Sequence, residues 1–422
     1  MKKVLFTIQW YPSVLSANAL CDENIIHALF KTGNYDISCL VYSTPDFATY
    51  EEIEGIKVYR FRKGYLWDMV INAKQNPSYK KSKIILKVNR IIQRIKQIIL
   101  IPWYPIIEPI TILKFAKKAI KLHKTENFDY VISEHNGMDS LLAGYYLKRK
   151  YPNIKYVPIF WDPLYGKETA KYLPDSYSKK RQKKLEKKIL YYADQAIFME
   201  NMKKFHKDND ISYTDKCVYM SFPKLIRRTG FKNHEDYTKE GKINIVFSGI
   251  LNLPDRDPSY FLKVVSNSSY ADDINLLFFC TGSGRNLVEQ FKTTYQGDVV
   301  ISSYIPVSTL SSVYNNSDIL LNIGGPNPNM IPSKIYDYMS SCKPIISTYY
   351  IDNDASKSIL SKYPAILFLD LRESLDTNVS HFDEFIQNIN SIKVDFQDIE
   401  SRFSMNSPKH YVELFDKMEI NE

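Results

Sequence analysis

With 422 residues, 44% of them hydrophobic and 24% charged, the chain has enough apolar material for two domains of roughly 200 residues each, which excludes a disordered or collagen-like polymer. Five scattered cysteines without a C-x-x-C pair exclude a disulfide framework and a zinc site, and fit a reducing cytoplasm. The net charge of +9 is concentrated: thirteen Lys/Arg against the single acid Glu108 between Lys74 and Lys124, and seven against Glu186 between Lys179 and Lys188, so the remainder is mildly acidic.

The opening Lys3–Gln9 run is too short for a signal peptide, and Trp10-Tyr11-Pro12 stands where a small-residue cleavage site belongs, so it is expected to be a buried strand. A helix with apolar positions at Leu20, Ile25, Ile26, Leu29 and Phe30 follows and stops at Gly33. Asp36–Ser43 and Ile56–Phe61 are rich in β-branched and aromatic residues and predict strands. After two helical segments come strand Tyr130–Ser133, helix Met138–Lys150, strand Ile154–Phe160, helix Lys179–Tyr192 and strand Gln195–Met199. The apolar stretch Ile98–Ile107 holds Pro102 and Pro105 and falls short of the ~20 residues a spanning helix needs.

Polar residues with Pro223 and Gly230 then interrupt the pattern, which restarts as strands Lys242–Ser248, Ile274–Cys280, Val299–Ser302, Ile319–Ile323 and Pro344–Thr348 separated by helices. Ser407-Pro408 opens a last helix with Tyr411, Phe415 and Met418 on one stripe. The expected fold is α/β: two Rossmann-like, doubly wound domains facing a cleft. Their expected limits are 1–222 and 242–403, with a linker at 223–241 and a terminal helix at 404–422 packing back on the first domain.

Ligands of such sheets bind beyond the strands' carboxyl ends, where four loops of the second half have suitable chemistry. They contain Phe247-Ser248-Gly249 with Arg256, Thr281-Gly282-Ser283-Gly284, Ser303-Tyr304-Ile305-Pro306, and Gly324 to Met339. In the last, Ser333 is expected to cap a helix, Lys334 adds a cation, and Asp337 lies one turn along, placed to take ribose hydroxyls; a capped helix with solvated polar residues gives the same pattern.

The run Pro332-Ser333-Lys334-Ile335-Tyr336-Asp337-Tyr338-Met339 followed by Lys343-Pro344-Ile345-Ile346 resembles the donor-site signature of GT-B glycosyltransferases in the broad group around family 4. Phe247-Ser248-Gly249, Arg256-x-Pro258, Gly282-x-Gly284 and a Leu310–Tyr314 helix before Asp318 recur there in the same order; the resemblance covers about 100 residues of the second domain. It implies that Asp337 contacts the ribose, that Lys334, Arg256 and the backbone near Gly249 hold the diphosphate, and that the Gly282 and Ile305 loops frame the base. It also implies a leaving group stabilised by helix ends and basic side chains, without a metal or cofactor. Three positions depart from the pattern: Asn329 where the family has its first acid, Cys342 where it has glycine, and Ser13-Val14-Leu15-Ser16-Ala17 in place of a Gly-Gly loop.

His135, just past a strand, suits either a general base for an acceptor hydroxyl, a sugar ligand, or a loop histidine tied to backbone; Asp162 is a second candidate base. On a helical wheel Ile84, Val88, Ile91, Ile95 and Ile98 line one stripe flanked by Lys83, Lys87, Arg90 and Arg94. This fits a helix lying on an anionic membrane, or one packed on the sheet with solvated lysines. The expected function is a metal-independent, cytoplasmic glycosyltransferase, peripheral on the inner face of the plasma membrane, moving sugar from a nucleotide-diphosphate sugar to a lipid-linked glycan acceptor in surface polysaccharide synthesis. The alternatives are a nucleotide-sugar epimerase of the same fold and a basic nucleic-acid-binding protein; against the latter, no nucleic-acid motif is present.

Overall fold

The computed structural model describes residues 1–12, 17–43, 47–75, 79–135, 137–165, 173–209, 216–227, 237–303, 305–325 and 332–420. Asn329, Tyr304 and the Ser13–Ser16 stretch lie outside them, so the departures at Asn329 and at that loop have no structural reading. The chain divides into two compact units, Met1–Ser221 with Val412–Glu422, and Phe222–Tyr411.

In the first unit the elements are β1 (Lys2–Thr7), α1 (Ala17–Lys31), β2 (Tyr35–Tyr42), β3 (Tyr50–Ile53), β4 (Ile56–Phe61), α2 (Tyr65–Gln75), α3 (Lys80–Ile99), α4 (Pro109–Glu126), β5 (Tyr130–Glu134), α5 (Met138–Lys150), β6 (Lys155–Phe160), α6 (Asp175–Tyr192), β7 (Ala196–Met199), α7 (Met202–Asp208) and β8 (Cys217–Met220). The sheet runs β3-β4-β2-β1-β5-β6-β7-β8, parallel except for β3, which forms an antiparallel hairpin with β4. Its order reverses between β1 and β5, whose last residues are buried on both faces. That point is where ligands of open parallel sheets bind.

The second unit contains β9 (Ile243–Ile250), α8 (Ser259–Ser266), β10 (Ile274–Thr281), α9 (Arg285–Lys292), β11 (Asp298–Ser302), α10 (Val307–Asn316), β12 (Ile319–Ile323), α11 (Lys334–Ser340), β13 (Ile345–Tyr349), α12 (Ala355–Leu360), β14 (Ile366–Asp370), α13 (Leu375–Gln387), α14 (Phe396–Arg402) and most of its first turn of α15 (Pro408–Ile420). Its all-parallel sheet runs β11-β10-β9-β12-β13-β14, the doubly wound 3-2-1-4-5-6 order, with its switch point between β9 and β12. Successive residues explain the two buried faces. Ile245, Phe247, Leu276 and Phe278 enter one core with α8 and α13, while Val246, Leu277 and Phe279 enter the other with α10, α11 and α14.

Leu225 is fully buried in that second core and its N–H donates to the Asn406 carbonyl. The start of the segment expected as a linker is therefore packed structure of the second unit. At the other end of the chain, Tyr35 Oη donates to Asp416 on α15 at 2.9 Å, within the first unit.

One helix departs from ordinary packing. Along the 20 residues of α3 the only buried residue is Ser82. Ile84, Val88, Ile91, Ile95 and Ile98 are 47–64% exposed, and Tyr79 and Trp103 near its two ends are exposed as well. The stripe is not packed on the sheet, which removes the simpler of its two sequence-based explanations. Its carboxyl end is fastened by α6: Arg181 Nε donates to the Tyr104 carbonyl at 3.1 Å and Tyr177 Oη to the Ile101 carbonyl at 2.9 Å. The two basic stretches of the sequence are thereby brought together on one unit.

Candidate functional site

In the second unit the switch point is built around Ser248, at the end of β9. Its N–H donates to Tyr338 Oη at 3.1 Å, and its hydroxyl bonds Tyr314 Oη. Tyr314 and Tyr338 meet edge to face at 5.2 Å, so two buried phenols pin α10 and α11 to the strand end. The following loop is locked to its neighbour: Leu251 N–H donates to the Thr281 carbonyl at 2.8 Å, and Gly284 N–H to the Leu251 carbonyl at 2.7 Å. Gly282 has φ +100°, and a Cβ there would stand 2.5 Å from the Leu251 carbonyl oxygen, so only glycine fits. Gly325 is required for the same reason, since its Cβ would meet the Asp255 carbonyl at 2.7 Å. The Ile305 side chain is buried in the core.

This scaffold presents an imbalance of charge. Arg256 and Lys334 are both half-buried, and among the described residues neither has an ion-pair partner. Arg256 Nη1 lies 3.9 Å from where a Cβ on Gly249 would stand, so the guanidinium borders the Gly249 loop. Burial holds the Arg256 guanidinium below its usual range. Burial lowers the Lys334 ammonium too, Asp337 opposing the shift and Lys224 adding to it. Each is a partly desolvated cation without a carboxylate partner among the described residues, chemistry suited to an anionic ligand.

Ser333 does not cap α11 as the sequence suggested. The Ser333 side chain makes no cap hydrogen bond to α11: its backbone is helical, with φ −59° and ψ −16°, where a capping residue is extended, and its hydroxyl meets Lys224. Lys224 Nζ donates to Ser333 Oγ at 3.3 Å and to Asp337 Oδ2 at 3.1 Å. The Lys224 side chain is 3% exposed and Asp337 19%, so one carboxylate oxygen is committed to a largely buried ion pair while Oδ1 makes no hydrogen bond among the described residues. Lys224 is a site residue that sequence reading missed: a lone lysine after Pro223, 113 residues from its partner, has no local signature. Lys224→Met is expected to destabilise the second unit by about 2–3 kcal/mol, less than a fully buried broken pair because Asp337 can rehydrate. Urea unfolding at fixed pH checks this, with no change in midpoint as the contrary result.

In the first unit, His135 follows β5 and is 6% exposed. Its N–H donates to the Ile159 carbonyl at 2.7 Å and its Nδ1 lies 2.8 Å from the Asp162 carbonyl oxygen. A carbonyl only accepts, so in neutral His135 the proton sits on Nδ1 and the lone pair on Nε2. Asp162 thus enters through its backbone, orienting the ring. Gln9 frames the same turn: a Cβ on Gly137 would stand 2.3 Å from Gln9 Nε2 and 2.5 Å from Asp139 Oδ1, so a side chain at 137 would displace the ends of both. Nearby, Lys63 Nζ sits 4.0 Å above the Tyr42 ring and 3.2 Å from Asp139, while Trp10 and Trp67 stack at 6.0 Å.

No family model matches the sequence, and no curated protein matches it. Solved structures do. A lipopolysaccharide outer core galactosyltransferase, WaaB, in its apo form aligns over 100% of this chain and 99% of its own with a TM-score of 0.51 at 12% identity. An α,α-trehalose-phosphate synthase (UDP-forming) from Burkholderia xenovorans aligns over 99% of both chains with a TM-score of 0.55 at 7% identity. The chain has the GT-B fold. A UDP-GlcNAc 2-epimerase from Methanocaldococcus jannaschii shares that GT-B architecture, with a TM-score of 0.52 at 10% identity over 99% of this chain and 100% of that one. Identities this low carry the fold alone.

Proposed function

We propose that the protein is a glycosyltransferase that takes a sugar from a nucleoside-diphosphate sugar and passes it to a lipid-linked glycan acceptor at an anionic membrane surface. The observation that carries the donor half is the two half-buried cations, Arg256 and Lys334, which have no carboxylate partner among the described residues, at the loops of the second sheet's switch point. A diphosphate supplies the missing anion. As the glycosidic bond breaks, charge grows on the departing phosphate, and two fixed cations stabilise it without a metal. Asp337 Oδ1 receives the ribose hydroxyls while Lys224 fixes the carboxylate. The Gly249 loop approaches the phosphates, the Gly282 and Ile305 loops frame the base, and Ser333 is held in place by Lys224. His135 Nε2, with its lone pair set by the Asp162 carbonyl, takes the acceptor proton.

The acceptor half rests on α3. An exposed isoleucine stripe beside Lys83, Lys87, Arg90 and Arg94 matches a surface with an apolar interior and anionic headgroups, as on the inner face of a plasma membrane. A phosphate backbone of nucleic acid would engage the cations and leave the isoleucines in water. A surface-polysaccharide intermediate anchored in a bilayer is the acceptor class that such docking serves. The epimerase reading shares the fold; it would need catalytic acids within reach of substrate and gives no role to the exposed stripe of α3.

Thermal shift against UDP, GDP, dTDP and CMP sugars tests the donor half. A ligand at about 100 times its Kd stabilises by roughly 2.7 kcal/mol. A diphosphate sugar is expected to shift the transition more than the monophosphate CMP sugar, and no shift with any of them contradicts the reading.

A further inference from the structure

Asp22 on α1 and Glu134 at the end of β5 are buried carboxyls that the transfer chemistry does not use. Each has one satisfied oxygen: Trp161 Nε1 donates to Asp22 Oδ1 at 2.9 Å, and the Gln9 N–H to Glu134 Oε1 at 2.5 Å. The remaining oxygens, Asp22 Oδ2 and Glu134 Oε2, are buried and accept from no N–H or O–H among the described residues. The two side chains lie within hydrogen-bonding reach of each other. Two bare carboxylates cannot share such a site, because neither has a donor and their charges repel in a medium of low dielectric.

Among the described residues the surroundings offer no counter-charge. From α1 comes the Glu23 carboxylate, from β2 the Cys39 thiol, from beyond β1 the Gln9 amide, from α5 Asp139 and Ser140, and from beyond β6 the Trp161 indole. His135, next in sequence to Glu134, is turned by its Nδ1 toward the Asp162 carbonyl. Lys63 is paired with Asp139. Burial and the neighbouring Glu134 push Asp22 well above the carboxylate range, and burial raises Glu134.

We propose that Asp22 and Glu134 hold a single proton between Asp22 Oδ2 and Glu134 Oε2 at neutral pH, and that this acid–carboxylate pair is the positioning device for the turn that carries His135. The pair ties helix α1 to the ends of β1, β5 and β6 at one point, through Gln9, Glu134 and Trp161. The Ser140 hydroxyl, donating to the Glu134 carbonyl at 3.0 Å, fixes the far side of the same turn. The inference is independent of which donor or acceptor the protein uses.

Amide substitutions give a signature that a mere packing role lacks. In Asp22→Asn or Glu134→Gln, the new NH₂ replaces the shared proton and donates to the carboxylate that remains. In the double variant both carbonyl oxygens are held by Trp161 and Gln9, so two NH₂ groups face each other. Each single variant is therefore expected to keep its Tm within about 2 °C of wild type, and the double to fall by at least about 5 °C more than the sum of the singles. The ¹⁵N resonances of the His135 ring should stay in place in the singles and move in the double.

Infrared spectra at neutral pD should show the carbonyl stretch of a protonated carboxylic acid in the wild type, lost in both singles. The pH dependence has a fixed sign. The native pair retains a proton that the unfolded chain releases above about pH 4, so this pair's contribution to stability falls as the pH rises from there through the raised native value. That slope should disappear in either single variant. Additive single and double effects, or a wild-type spectrum without a protonated carboxyl band, would overturn the proposal; the spectrum needs only the wild-type protein.

Discussion

Replacing Lys334 by alanine is expected to lower kcat by roughly 100- to 1000-fold, about 2.7–4 kcal/mol of transition-state stabilisation, while the second unit keeps its fold. The reason lies in how the ammonium is held. It is half-buried, kept below its usual range by desolvation, and has Asp337 nearby as an opposing influence that Lys224 already neutralises. A cation in that position gains most when negative charge grows in front of it, and the departing phosphate supplies this in the transition state. Arg256→Ala, beside the Gly249 loop, is expected to act on the same charge. Asp337→Ala should behave differently: on the proposed reading it removes a ligand of the non-reacting ribose, so its loss falls on donor KM with kcat nearly kept. Wild-type turnover and donor binding in both Lys334→Ala and Arg256→Ala would place the donor site elsewhere.

Changing Lys83, Lys87, Arg90 and Arg94 together to serine should weaken adsorption to anionic vesicles by roughly three orders of magnitude. Each basic residue near such a surface contributes about 1 kcal/mol, and four of them sum to that loss. The exposed stripe adds a second component that salt does not screen. Raising salt should thus remove most, and not all, of the wild-type binding, since the Debye length falls to about 8 Å at physiological ionic strength. Ile91→Asp with Ile95→Asp should abolish what remains. Equal co-sedimentation of wild-type and fourfold variant would contradict membrane docking, and a concentration-dependent dimer lost on Ile91→Asp would assign the face to a second copy instead.

What was legible in the sequence follows from how local the causes are. Strands such as Ile274–Thr281 are buried on both faces and read as continuous apolar runs, so the alternation of both units was visible. The hairpin strand Tyr50–Ile53 was not, because Tyr-Glu-Glu-Ile at a sheet edge carries no such run. β14 and the helices between Ala355 and Arg402 were also unread, their patterns diluted by charged and polar residues. Within the site, Gly282, Arg256 and Lys334 belong to contiguous motifs. Lys224, the Tyr314–Tyr338 pair on Ser248, and Asp22 with Glu134 are assembled from distant segments, and each residue alone is unremarkable. The expected cap by Ser333 failed because its backbone is helical, a conformation the residue type does not reveal, and its hydroxyl meets a lysine far away in sequence.

The most direct test of the glycosyl-transfer claim is one assay in which the protein meets diphosphate sugars labelled in the sugar, together with a bacterial lipid extract. The expected result is coupled release of nucleoside diphosphate and appearance of label in the organic phase, both lost in Lys334→Ala. Conversion of the donor to an epimer without transfer, or failure of every diphosphate sugar to react, would contradict it.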